Sequence, residues 1–159
     1  MEMNIYQKLA GVRDIVGGAL KKNKSGYNYK YVTEDEVLAK VTAGLKKYGL
    51  FLKPRLCPGE TKVIPYHTEK VKFTKTGEKY AENVDEVLVV SDMVWDFVNI
   101  DNPEEMVSTP WTIVGQQANA SMAFGSGLSY TLRYFLLKFF NIATVEDDVD
   151  GYKRKQKEA

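Results

Sequence analysis

The chain reads as an α+β domain, with N-terminal helices, an antiparallel sheet of about three to five strands and a long C-terminal helix packed across it. Three observations carry this expectation. Up to Tyr48 the apolar residues recur at helical spacing. From Leu50 to about Gly115 the period shortens to two, and short polar turns separate the runs. From Leu128 the helical period returns, in a run that is apolar on most sides.

The first helix spans residues 4–20, where Ile5, Leu9, Val12, Ile15, Val16 and Leu20 fall mostly on one face. Gly17-Gly18 weakens its last turn. A polar basic loop, Lys21-Lys22-Asn23-Lys24-Ser25-Gly26, follows. Thr33 with Glu36 three residues later forms a capping box for the second helix. That helix carries Val37, Leu38, Val41, Leu45 and Tyr48, and Gly49 stands at its C′ position. Strand segments then follow at Leu50–Arg55, Lys62–Tyr66, Glu69–Phe73, Val84–Ile100 (one strand or two) and Met106–Gly115. Thr76-Gly77-Glu78 and Asp101–Glu105 read as turns, and Pro110 marks an edge or a bulge. The last helix begins near Gln116–Ser121, with an interruption expected at Gly125-Ser126-Gly127. Beyond it Leu128, Leu132, Phe135, Leu136 and Phe139 line one face, while Tyr130, Tyr134, Leu137 and Phe140 keep the other side apolar. Such a helix is covered on more than one side. A sheet could cover one side and a second subunit the other, so a homo-oligomer is expected.

A chain of 159 residues is long enough for one sizeable core. We expect a single domain over 1–151 and a charged, disordered tail over 152–159. No apolar run reaches membrane-spanning length, and the N-terminus has no secretory pattern. The lone Cys57 cannot form an internal disulfide and suits a reducing interior. Net charge is only +1, but its distribution is uneven. Residues 1–80 hold 16 Lys+Arg against 8 Asp+Glu, residues 81–152 hold 2 against 12, and residues 153–159 hold 4 against 1. This asymmetry can mark a nucleic-acid face beside an acidic region, or it can be ordinary solvated surface.

Catalytic chemistry finds little material. His67 is the only histidine, with no second ligand at metal spacing. Cys57 lacks a base partner and reads as a buried small residue. Gly125-Ser126-Gly127 has neither the spacing nor the lysine of a nucleotide phosphate loop. Its small residues suit close approach of the helix to another backbone. Alternatively, free N–H groups at a helix start there could hold a DNA phosphate. Glu146-Asp147-Asp148-Val149-Asp150 could suggest nuclease metal ligands, but contiguous acids more often form a solvated loop, since two-metal sites draw carboxylates from separate elements. No cofactor or metal is expected.

Single-strand binders combine cations that follow phosphates with aromatic platforms for bases. Lys21, Lys22, Lys24 and Lys30 interleave with Tyr27, Tyr29 and Tyr31. Lys53, Arg55, Lys62, Lys70 and Lys72 could add cations on one sheet face. The tyrosines could equally pack on the sheet, and Arg133 could pair with an acidic neighbour.

Two stretches carry a family resemblance. Gly125-Ser126-Gly127-Leu128-Ser129-Tyr130-Thr131-Leu132-Arg133-Tyr134-Phe135-Leu136, followed by Ile142-Ala143-Thr144 and Glu146-Asp147-Asp148, resembles the pattern G-S-x-x-[ST]-Y-x-x-R-Y-x-L…D-D. Tyr27-Asn28-Tyr29-Lys30-Tyr31 with Asp35-Glu36-Val37 resembles Y-x-Y-x-x-x-x-[DE]-[IVL]. Both patterns belong to the Erf (essential recombination function) family of phage single-strand annealing proteins. With their flanks, Tyr27–Leu50 and Trp111–Gly151, the stretches cover about 65 of 159 residues. Leu132 stands where family members often carry a second basic residue.

The resemblance implies a β-β-β-α core and no enzymatic activity. It implies ATP-independent binding of single-stranded DNA and annealing of complementary strands in phage homologous recombination. An oligomeric ring or filament would hold phosphates and leave bases exposed, in the cytoplasm of a bacterial host. A host single-strand-binding protein and a phage exonuclease are further candidate partners. The residues expected at DNA are Lys21, Lys22, Lys24, Tyr27, Tyr29, Lys30, Lys53, Arg55, Lys72 and Arg133. A non-annealing single-strand-binding module and a metal-dependent nuclease remain the alternatives.

Overall fold

The computed structural model describes residues 2–20 and 34–142. Its elements run α1 (Ile5–Leu20), α2 (Glu34–Tyr48), β1 (Leu50–Phe73), β2 (Lys79–Asn99), β3 (Met106–Gln117) and α3 (Ala120–Phe139). The three strands form one antiparallel sheet in the order β1-β2-β3. This is the expected α+β architecture, with the separate strand segments of the central region merged into three long strands. The chain divides into two compact units. One comprises Met1–Lys53, Asp96–Ser108 and Arg133–Ala159, the other Pro54–Trp95 and Thr109–Leu132.

In the first unit, α1 and α2 bury one stripe each. Ile5, Leu9, Val12 and Val16 are buried from α1, and Val37 and Val41 from α2, at the spacing of a single helical face. Gly44 brings the helices together, since a Cβ there would lie 2.9 Å from Val12 Cγ1. Asn4 and Gln7 cap the start of α1 reciprocally. Gln7 N–H donates to Asn4 Oδ1 and Asn4 N–H to Gln7 Oε1, both at 2.9 Å. Glu105 takes a further free donor, the Ile5 N–H, at 2.8 Å. At the end of α2, Gly49 has φ 64° and fills the expected C′ position. Phe97 is fully buried, with its ring 4.6 Å from Phe139, 5.6 Å from Phe140 and 6.0 Å from Phe135. Leu137 and Phe140 are buried as well. Asn141 ends α3 in the left-handed region, and Ile142 N–H reaches back to the Leu137 carbonyl at 2.8 Å.

In the second unit, β1 and β2 form a long hairpin turning at Thr74–Glu78, where Thr74 N–H donates to the Glu78 carbonyl. Val89, Met93, Trp95, Ile113 and Ala123 supply its buried apolar side chains. Helix α3 is continuous through Gly125-Ser126-Gly127, contrary to the expected interruption. Its start is capped by Asn119, whose Oδ1 accepts from Met122 N–H at 3.0 Å. The close approach expected of the small residues holds at one glycine and not at the other. A Cβ on Gly127 would lie 2.9 Å from Gly115 N, and a Cβ on Gly115 would lie 1.8 Å from the Ala123 carbonyl oxygen. Here α3 touches the backbone of β3. A Cβ on Gly125 would meet open space.

Candidate nucleic-acid interface

Side-chain alternation sorts the hairpin into two faces. Thr61 meets Ser91 and His67 meets Asp85 across the strands, each at 2.7 Å, and the Thr74–Glu78 bond continues the same register. That register places Lys62 opposite Val90, Tyr66 opposite Glu86, Lys70 opposite Glu82 and Lys72 opposite Tyr80. One face of the hairpin therefore presents Lys62, Tyr66, Lys70, Lys72 and Tyr80 together. All five are exposed, Tyr66 at 42% and Tyr80 at 46%. The other face carries His67 paired with Asp85, together with exposed Val63, Val71 and Phe73.

The lysine-bearing face carries carboxylates of its own. Lys72 is ion-paired with Glu82. The Glu82 hydrogen bond, then its charge, pushes the Lys72 pKa above the usual lysine value of 10.5. Lys72 thus stays cationic at any physiological pH, and Glu82 competes with a phosphate for it. Two more carboxylates lie on the same face, Glu86 directly opposite Tyr66 and Asp92 beyond Val90. Gln116 donates to Glu86 at 2.6 Å and Thr112 to Asp92 at 2.9 Å. Each of these carboxylates is held by a neutral neighbour from β3. Lysines, tyrosines and carboxylates are thus mixed on one face of the sheet.

Other expected residues are placed as follows. Lys53 and Arg55 are exposed on β1. Arg133 is half-buried on α3, its guanidinium carbon 5.7 Å from the Tyr134 ring centroid. Its Nε is buried with no hydrogen-bond partner among the described residues, and no ion pair to it is seen there. The alternative of an acidic partner is therefore not what the described structure contains. Lys21, Lys22, Lys24, Tyr27, Tyr29 and Lys30 lie outside the described residues, as do Glu146–Asp150 and the 152–159 tail. Cys57 is half-buried rather than buried. The phosphate reading of Gly125-Ser126-Gly127 fails, because α3 starts at Ala120 and the N–H groups there belong to the helix interior.

Tyr66 and Tyr80 were not among the expected residues. Tyr66 shares sequence parity with Lys62, Lys70 and Lys72, which was a usable signal. Tyr80 joins them only through the register of the turn. A cleft of about 440 Å³ is lined by Glu2, Met3, Asn4, Asn99, Asp101, Asn102 and Glu105. Its three carboxylates repel a phosphate, so the hairpin face is the better nucleic-acid candidate.

Compared with known protein families, the sequence matches the model described as the ERF superfamily over residues 5–159. No curated protein and no solved structure matches it.

Proposed function

The chain belongs to the ERF superfamily, and from that premise we propose that it binds single-stranded DNA without ATP and anneals complementary strands during phage recombination. The observation that carries this reading is the hairpin face with Lys62, Lys70 and Lys72 beside exposed Tyr66 and Tyr80. Cations spaced along a strand follow a phosphate backbone, and tyrosine rings accept bases of any sequence by stacking. Annealing needs no covalent step, since base pairing and stacking supply the free energy. The protein suppresses hairpins in one strand and concentrates its complement. Lys21, Lys22, Lys24, Tyr27, Tyr29, Lys30, Lys53, Arg55 and Arg133 remain proposed contributors. The working form is a multimer inside the bacterial host.

The test mixes two complementary labelled oligonucleotides with the protein, with and without ATP and magnesium. Wild-type protein should accelerate duplex formation equally in all conditions and leave both strands full length. Tight binding without acceleration would favour a non-annealing single-strand-binding module. Magnesium-dependent shortening of the strands would favour a nuclease.

A further inference from the structure

The β1–β2 hairpin ends as a ribbon two strands wide. Thr112 meets Asp92 across β2 and β3, and this register places Gln117, the last residue of β3, opposite Val87. From Glu86 back to the turn, β2 therefore pairs with β1 alone. Every residue from Glu69 to Ala81 is exposed, so neither face of this end has a core beneath it. A two-stranded ribbon is marginally stable in water by itself, and here the turn is fastened by side chains. Glu78 N–H donates to Thr74 Oγ1 at 3.0 Å, and Thr76 Oγ1 lies 2.8 Å from the same oxygen. Gly77, at φ 86°, donates its N–H to the Thr74 carbonyl at 3.0 Å.

Phe73 is the last residue of β1. The turn register sets it beside Lys79, on the face of Val71 and opposite to the face of Tyr80. Its ring is 67% exposed and has no polar atom to meet water, and Val71 next to it on that face is exposed as well. The charges around the ring select the kind of contact it suits. Between Lys70 and Tyr80 the chain carries four lysines, Lys70, Lys72, Lys75 and Lys79, against one carboxylate, Glu78. Lys72 is engaged by Glu82. Lys75 in the turn and Lys79 beside the ring make no ion pair among the described residues. An aromatic ring between free cations matches a polyanion that offers flat apolar faces, and a nucleic-acid strand is built that way. Proteins place apolar side chains between base steps in the same manner.

We propose that the end of the hairpin is a base-stacking wedge: Phe73 lies against a base of the bound single strand, and Lys75 and Lys79 hold the phosphates on either side of that base. This rests on the proposed single-strand binding and adds a contact to it. The strand crosses the end of the ribbon instead of keeping to the face of Lys62, Tyr66 and Lys70. A base held on Phe73 is unstacked from its neighbour, which interrupts hairpins in the strand and presents the adjoining bases to a complement. The fastened turn holds the ring in place before the strand arrives, so less ordering is required on binding.

The experiment uses the full chain and two oligonucleotides of equal length, one ordinary and one lacking bases. Phe73→Ala should weaken binding to the ordinary strand about tenfold, as loss of one stacked base does, and leave binding to the base-free strand unchanged. Phe73→Leu keeps apolar bulk without a ring and should behave like Phe73→Ala, whereas Phe73→Trp should bind at least as well as wild type. Lys75→Ala with Lys79→Ala should weaken binding to both strands alike. Melting temperatures should stay close to wild type, because the ring is exposed. Should Phe73→Ala not fold, the contrast between Phe73→Leu and Phe73→Trp carries the test. Wild-type affinity in folded Phe73→Ala, equal losses on the two strands, or equal affinities of Phe73→Leu and Phe73→Trp would each overturn the wedge and leave the ring to a protein partner. Wild-type protein that binds neither strand would overturn the single-strand reading along with it.

Discussion

The Phe97 cluster and the hairpin face of Lys62, Tyr66, Lys70, Lys72 and Tyr80 show two opposite uses of aromatic residues. In the first, four rings enclose one another and Phe97 has no exposure at all. In the second, the tyrosines stand exposed between lysines with no core beneath them on that face. Area buried from water stabilises the fold only where it is buried. Substitutions in the first region should therefore change stability, and those in the second should change binding alone.

The largest expected effect is on the enclosed side. Phe97→Ala should destabilise the protein by about 3–5 kcal/mol, because its ring packing is replaced by a cavity. Urea denaturation reads this directly, and a loss under about 1 kcal/mol would mean the cluster collapses onto the void. Next come the glycines of the α3 region. Gly115→Ala should cost about 1–3 kcal/mol through overpacking, since its Cβ has no room beside the Ala123 carbonyl. Gly125→Ala, in open space, should instead stabilise the helix by about 0.5–1 kcal/mol. Thermal melts of the pair give opposite signs if the close approach is real.

On the exposed side, changing Lys62, Lys70 and Lys72 together to Ala should leave the melting temperature within a few degrees of wild type. It should flatten the salt dependence of single-strand binding by up to about 2 units of slope, at roughly 0.7 for each phosphate no longer neutralised. An unchanged slope would move the DNA face away from the hairpin. A smaller and opposite change is expected of Glu82→Gln. Releasing Lys72 from its ion pair should raise affinity for single strands at low salt, and a fall in affinity would mean Glu82 positions Lys72 rather than restraining it.

The last comparison concerns acid. The bond from Ile5 N–H, then that from Asn99, with Lys8 nearby, hold the Glu105 carboxyl below its ordinary 4.5. A lowered folded-state pKa contributes stability that is complete above the ordinary value and is lost as pH falls through the lowered one. Wild-type protein should lose stability below pH 4.5 more steeply than Glu105→Gln. Parallel acid titrations of equal slope would remove Glu105 from the account.

Much of the architecture was legible because it rests on local chemistry. Gly49 ended α2 where its sequence position said, and the turn at Asp101–Glu105 lay where its polar residues cluster. The same capping logic was available at Asn4 and Gln7 and went unread. The length of β1 was not legible. Pro65 looks like a break, but it falls at an outward position, and an edge strand tolerates a proline whose missing N–H would have pointed outward; beside Pro58, Gly59 takes φ 79°, a local irregularity that the strand passes through. The continuity of α3 was hidden for a related reason. The helix cost of Gly127 is offset by its close approach to Gly115, a residue twelve positions away on a strand. The candidate site depended on register, and a one-residue slip would have sent Tyr80 to the opposite face from Lys72.

The tie between Ile5 and Glu105 bears on how the chain is made. The two residues are 100 positions apart. Lys8 is 5% exposed, and its ammonium group is held by Asn99 and Asp101. During synthesis, α1 emerges long before either acid or the asparagine exists. At roughly 5–20 residues per second the wait is on the order of 5–20 seconds. Through that interval the charge of Lys8 opposes burying that end of the helix. The contacts that satisfy Lys8 and the Ile5 N–H therefore cannot form until the β2–β3 turn has been translated, whatever the speed of helix formation.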